Sequence, residues 1–206
     1  MFITLEGSEG CGKTTQSRAL AAFLQQQGYD VLLTREPGGT AIGEQIRAIL
    51  GDRQNTAMHL RTELLLFQAS RAQLVEEVIR PCLARGGIIV CDRYADSTLA
   101  YQGYGYRSIP LEQVRALVEF ATGGLQPHLT LLLDLDVETG LRRRAQGGSI
   151  NRLDTYTIDF YRRVRDGFLE LARQQPERWV VVNAALPFDD VQAELRRVVL
   201  DRLQKI

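Results

Sequence analysis

The sequence predicts a three-layer α/β protein, a five-stranded parallel sheet with helices on both faces. Two observations predict it. Short runs of Val, Ile and Leu alternate along the chain with longer segments of helical period. The short runs are apolar at consecutive rather than alternate positions, as strands covered on both faces are. A third observation bounds the answer: 206 residues lie within what one hydrophobic core supports, so a single domain over residues 1–206 is expected.

In chain order, strands are expected at Phe2–Leu5, Val31–Thr34, Ile88–Cys91, Leu129–Leu133 and Trp179–Val182. Helical period is carried by Leu64, Leu65, Val75, Val78 and Ile79 across one long stretch. It recurs in Leu111, Val114, Leu117, Val118 and Ala121, and in Val191, Leu195, Val198 and Val199. Strands alternating with helices imply right-handed crossovers, and ligands then gather at the carboxyl ends of the strands. Ala145–Asn151 (AQGGSIN) is expected as a mobile loop inside a lid of about residues 142–154.

Composition excludes several classes of function. Lys+Arg and Asp+Glu are both 25, and a net charge of zero argues against a general nucleic-acid binder. No window approaches the roughly 18 apolar residues of a membrane span. The opening MFITLEGSEG has neither a basic start nor a cleavable apolar stretch, so a cytoplasmic protein is expected. Three cysteines without CxxC spacing argue against a disulfide framework or a zinc site.

The chemistry begins where the first strand ends. Gly7-Ser8-Glu9-Gly10-Cys11-Gly12-Lys13-Thr14 fits G-x-x-x-x-G-K-[ST] between a strand and a helix, the context that gives the match meaning. Glycines let the backbone curl N–H groups toward phosphate oxygens, and the helix N-terminus adds partial positive charge. Lys13 is expected on the outer phosphates and the Thr14 hydroxyl on Mg²⁺. After the third strand, Asp92 is placed to hold Mg²⁺ through water and Arg93 to meet phosphate oxygens.

Other segments point to a second ligand. Arg35-Glu36-Pro37-Gly38-Gly39-Thr40 makes a rigid turn after the second strand, with Arg35 suited to clamp a monophosphate and Glu36 near the metal. Phe67 and Arg71, four residues apart, suit stacking on a base and bonding to its edge; a core phenylalanine beside a solvated arginine fits equally. Ser97–Tyr104 gathers hydroxyl, amide and aromatic groups that could read a planar heterocycle, or form a surface turn. Arg142, Arg143, Arg144 and Arg152 have no acidic residue among them from 142 to 152, so an anion is expected to gather them when the lid closes.

Together these strings resemble the thymidylate kinases over nearly the whole chain. The REPGGT string at 35–40 and Asp92-Arg93-Tyr94 with Ala95–Gly103 carry most of the likeness, beside the phosphate loop, Phe67–Arg71, Arg142–Arg152 with Asp154, and Asn183-Ala184. The resemblance implies a P-loop NTPase fold. It also implies Mg²⁺-assisted transfer of the γ-phosphoryl of ATP to dTMP, giving dTDP. ATP would lie on Gly7–Thr14 and Thr15, with Arg142, Asn183 and Ala185 around its adenine. Arg35 and Glu36 would serve the dTMP phosphate end, Phe67 and Arg71 the thymine, Ser97, Thr98 and Gln102 its edge, and Tyr101 the sugar C2′. Glu9 would sit near the 3′-hydroxyl, and Lys13 with Arg93 would bridge the two phosphates. Ser8-Glu9-Gly10-Cys11 contains no base, so a lid arginine would complete catalysis, as in bacterial members; Arg152 and Arg144 lead, with Arg143 a rival. A homodimer is also implied, with the Leu60, Leu64, Phe67 stripe partly in its interface. Kinases of dUMP, dGMP or a deoxynucleoside on the same scaffold, and a nucleotide-dependent switch, are the competing readings.

Overall fold

A computed structural model describes residues 1–147, 152–154 (Asp154 by its backbone alone) and 156–205. Strand β1 (Phe2–Glu6) leads through the loop 7–12 into α1 (Lys13–Gln26), followed by β2 (Val31–Arg35), α2 (Ala41–Gly51) and α3 (Leu60–Leu74). A π-helical segment (Val75–Ile79) joins α3 to α4 (Arg80–Ala84), then β3 (Ile88–Asp92) and α5 (Ala95–Thr98), which runs into a second π-helical segment (Leu99–Gly105). The remainder is α6 (Leu111–Thr122), β4 (Leu129–Asp134), α7 (Val137–Gln146), a 3₁₀ turn (Arg152–Asp154), α8 (Ile158–Gln174), β5 (Trp179–Asn183) and α9 (Phe188–Leu203).

The five strands are parallel in the order β2-β3-β1-β4-β5. Each runs one residue past its apolar stretch, ending on Glu6, Arg35, Asp92, Asp134 and Asn183. The ladder tolerates a polar side chain there because each one meets the cleft or a polar partner: Arg35 and Asp92 line the cleft, Glu6 accepts from the Tyr94 amide and Ser97, Asp134 accepts from Arg165, and Asn183 accepts from the Ala185 amide. The register sets Asp92 beside both Leu5 and Arg35, so the ends of β1, β2 and β3 present their side chains together.

Alternation along β1 divides the core. Ile3 and Leu5 pack with Leu20 and Leu24 of α1 and Leu195 and Val199 of α9, whereas Phe2 joins Leu74, Val75, Ile79 and Tyr94 on the opposite face. There α6, α8 and the second π segment complete the layer around Leu132, Val164 and Phe168. The helical stretch expected over 64–79 is thus the end of α3 running into a π turn, and Ser97–Tyr104 is largely buried helix, which removes the surface-turn alternative. All three cysteines are buried thiols. Of the expected mobile loop, Ala145 and Gln146 end α7, and Gly148–Asn151 lie outside the described residues.

The phosphate loop is seated against α7 by two glycines. Gly10 has φ 71°, and a Cβ there would lie 1.9 Å from the Gly140 carbonyl oxygen; a Cβ on Gly140 would lie 2.3 Å from the Glu9 carbonyl oxygen. Both obstacles are backbone, so neither can swing aside. Gly140→Ala is expected to lower stability by about 1–3 kcal/mol in chemical denaturation, as overpacked sites do; an unchanged midpoint would show that the loop yields freely.

Candidate active site

The carboxyl edge of the sheet opens into a cleft of about 710 Å³. From the phosphate loop and α1 it is lined by Glu9, Gly10, Gly12, Lys13, Thr14 and Thr15. Arg35, Glu36, Asp92 and Arg93 enter from the strand ends, Phe67, Arg71, Ser97, Thr98, Tyr101 and Gln102 from the helices behind them, and Arg144 from α7. Residues far apart in sequence are thereby brought together.

Lys13 Nζ donates to the carbonyls of Ser8 (2.7 Å) and Gly7 (3.0 Å), which holds the ammonium inside the loop. Among the described residues, every other helix of ten or more residues carries an acid in its first turn; α1 carries none. Its N-terminal partial charge, about half a unit, is left for an external anion. Cys11 turns its thiol onto the Ser8 carbonyl (3.0 Å), and Gly7, Ser8 and Cys11 do not line the cleft. Thr14 Oγ1 donates to Asp92 Oδ2 at 2.5 Å, so a hydroxyl and a carboxylate stand side by side.

The arginines meet carboxylates of differing burial. Arg93 has φ 70° and donates to Glu9 (2.8 Å), the Tyr101 hydroxyl (3.2 Å), the Gly7 carbonyl and Ser97 Oγ. Tyr101 also donates to Glu9 (2.8 Å). Burial alone would raise the Glu9 carboxyl, but Arg93, Lys13, the Tyr101 hydroxyl and Arg144 together hold it down at about 2. Arg71, 1% exposed, grips Glu36 Oε2 through Nε (2.9 Å) and Nη2 (2.6 Å) and donates from Nη1 to Gln68 and Thr98. It is therefore not a solvated arginine. Burial raises the Glu36 carboxyl despite Arg71, and Glu36 Oε1 is buried without a hydrogen-bond partner. Arg35 donates to both oxygens of Glu44 (2.9 and 2.8 Å) across an exposed pair.

Beyond the phosphate loop, four further predicted residues do not line the cleft. Arg152 donates to Glu63 Oε2 (2.8 Å) and the Leu50 carbonyl (2.9 Å), so its charge is met by a buried carboxylate from α3. The lid arginines thus do not all lack a counter-charge. A run without acids in sequence can find one in space. Arg142 lies against Thr139 (3.1 Å) on the exposed side of α7. Arg143 instead reaches the 183–185 segment, donating to the Ala184 carbonyl (2.9 Å). Asn183 and Ala185 bond to each other (3.0 Å) beyond the lining.

Sequence reasoning missed Arg18, Arg47 and Tyr156 as lining residues, and Arg143, a rival among the expected lid arginines, lines the cleft beside Arg144. Arg47 donates to the Pro37 carbonyl (2.9 Å); burial first, then Arg35, lowers its pKa, which reports a second guanidinium nearby. The available signal was Thr40, which caps α2 by accepting from the Gly43 amide and aims Glu44 and Arg47 back at the REPGG turn.

A phosphate loop on the central strand, facing a second arginine-lined set across one cleft, defines a phosphotransferase of the nucleoside monophosphate kinase class. The profile of the family described as Thymidylate kinase matches residues 5–195. The chain is 47% identical to a thymidylate kinase of Geotalea uraniireducens (98% of this chain, 97% of that one) and 50% identical to one of Deinococcus radiodurans (98% and 97%). A solved structure of thymidylate kinase from Ehrlichia chaffeensis superposes with TM-score 0.78 at 36% identity, covering 97% of this chain and 98% of that one. The chain belongs to the thymidylate kinase family.

Beneath the site, Glu6 accepts from the Tyr94 amide (2.8 Å) and Ser97 Oγ (2.6 Å), holding the start of α5. Burial, then Asp96, raises it to about 8, against the smaller opposing effects of Ser97, Arg93 and the Tyr94 amide. Between its ordinary 4.5 and about 8 the folded chain keeps a proton that the unfolded chain has lost, so this group's contribution falls as pH rises through that window. Thermal denaturation from pH 5.5 to 8.5 should show Glu6→Gln gaining on the wild type as pH rises; a constant offset would count against a raised Glu6.

Proposed function

We propose that this chain transfers the γ-phosphoryl group of ATP to the 5′-phosphate of dTMP, giving dTDP and ADP. The observation that carries the reading is the pairing of two anion-binding sets in one cleft: the phosphate loop with Lys13, and Arg35, Arg71 and Arg93 around Phe67 and Tyr101. A nucleotide-dependent switch has no use for the second set. The relatives' shared name supplies the identity of the acceptor.

In this reading Lys13 and Arg93 draw donor and acceptor phosphates together, and charge neutralisation with in-line alignment lowers the barrier. The acceptor oxygen is already anionic, so no residue need remove a proton. Glu9, ionised across the physiological range, can only accept hydrogen bonds, which suits a sugar hydroxyl. Arg144 is the favoured lid arginine because it lines the cleft, whereas Arg152 is engaged by Glu63. Thr14 and Asp92, adjacent oxygen ligands beside the phosphate loop, fit Mg²⁺, and Glu36, whose Oε1 is buried without a hydrogen-bond partner, lines the same cleft. Bound there, Mg²⁺ supplies charge neutralisation on the phosphates.

We further propose a single domain over residues 1–206 with a lid at about 142–154, acting as a cytoplasmic homodimer. Exposed Leu65 on α3 and Phe120 on α6 (87% exposed) support an apolar contact between copies, and no described helix is long and apolar enough to cross a membrane.

The direct test is ADP release across dTMP, dUMP, dGMP and thymidine, with and without Mg²⁺. Release is expected only with Mg²⁺ and strongest with dTMP; rapid hydrolysis without an acceptor would overturn the reading in favour of a switch. Arg35→Ala should raise KM for dTMP roughly 10- to 100-fold, the loss of a charge-assisted contact, and leave KM for ATP within about twofold. Its exposed pair with Glu44 contributes little stability, so the variant should fold. Equal changes in both constants would remove Arg35 as the acceptor clamp.

A further inference from the structure

Glu63 lies in the first turn of α3, 1% exposed, and is met by polar groups from two other parts of the chain. Arg152 Nη2 (2.8 Å) and the Tyr156 hydroxyl (3.2 Å) donate to Oε2, and Gln102 Nε2 (3.0 Å) donates to Oε1, with the Tyr106 hydroxyl 3.3 Å from the same atom. Tyr106 also donates to Tyr156 (2.6 Å), and Tyr156 stacks on Phe160 at 4.3 Å. Arg152 and Tyr156 belong to the segment that returns from the lid. Gln102 lines the acceptor side of the cleft, and Phe67 and Arg71 follow Glu63 on its own helix at four-residue spacing.

We infer that Glu63 is a positioning residue that ties the returning end of the lid to the group reading the acceptor base. The inference rests on the dTMP kinase reading above. Its chemistry is that of a carboxylate, which accepts and never donates when ionised. Gln102 must therefore turn its NH₂ toward Glu63, which leaves its carbonyl Oε1 as the acceptor, and no described donor meets that atom. A fixed acceptor at the cleft wall selects a base whose ring nitrogen carries a proton, as the thymine imide does and cytosine N3 does not. The same carboxylate neutralises Arg152, so removal of its charge releases both ends at once. Buried pairs of this kind are costly to break on one side only.

Glu63→Gln replaces an acceptor-only group with one that also donates. Gln102 can then flip and present NH₂ to the cleft, while Arg152 loses its counter-charge. With the full-length protein, KM for dTMP is expected to rise at least tenfold and KM for ATP to stay within twofold. The kcat/KM preference for dTMP over dCMP should shrink at least tenfold, and tryptic cleavage around Arg152 should accelerate. A residue that merely supports the fold would lower the melting temperature and leave the base preference intact. Should Glu63→Gln fail to fold, Tyr156→Phe removes one donor without changing charge and should raise KM for dTMP two- to fivefold with KM for ATP unchanged. Unchanged base preference in Glu63→Gln, or parallel changes in both KM values in either variant, overturns the inference. Wild-type turnover of dTMP separates the two failures: its absence sinks the function and this inference together, and its presence with an indifferent variant sinks this inference alone.

Discussion

Several guanidinium groups must be held near one cleft before two anionic ligands arrive, and like charges in a confined space repel. The molecule meets this constraint by giving arginines carboxylates of its own: Arg35 with Glu44, Arg71 with Glu36, Arg93 with Glu9, and Arg152 with Glu63. Burial then sorts them. An exposed pair contributes about 0–1 kcal/mol and parts at little cost, which describes Arg35–Glu44. A buried pair costs about 3–5 kcal/mol when one partner is removed and so behaves as fixed scaffold. Arg71–Glu36 and Arg152–Glu63 are of that kind.

The sheet determines where those pairs stand. Parallel strands ending together at one edge bring Glu6, Arg35 and Asp92 within a few residues of the phosphate loop, and the loop is pressed against α7 through Gly10 and Gly140. The first of these carboxylates never reaches the cleft. Glu6 holds the Tyr94 amide and Ser97, and Ser97 in turn accepts from Arg93, so a buried acid below the floor orients a base above it. The left-handed backbone at Arg93 belongs to the same arrangement, a strain of order 1–3 kcal/mol maintained by the contacts at either end of its side chain.

Hydropathy located every strand and placed each one a residue short, always at the polar residue that closes it. The reason is physical: hydropathy stops at the first polar side chain, whereas the ladder continues wherever that side chain finds the cleft, as Arg35 and Asp92 do, or a protein partner, as Glu6 and Asp134 do. The phosphate loop was readable because its chemistry is local, with glycine, lysine and threonine at fixed offsets before a helix. Phe67 and Arg71 were readable as a pair by helical spacing, but whether Arg71 lay in solvent or in the core depended on Glu36, 35 residues away. Arg18 and Arg47 carried no local mark, since an arginine on a helix surface looks alike whether it faces water or a neighbouring turn.

What the sequence determined alone is whatever depends on neighbours within a turn or two: the strand–loop–helix of the phosphate site, the rigid REPGG turn and the alternation that forces a parallel sheet. What only the tertiary structure decided is the pairing of charges. Arg152 stood in a stretch without acids and was expected to wait for an anion, yet Glu63 meets it from α3, 89 positions earlier. Coulomb energy depends on distance in space and on the dielectric around the pair, and neither quantity is written in the order of residues.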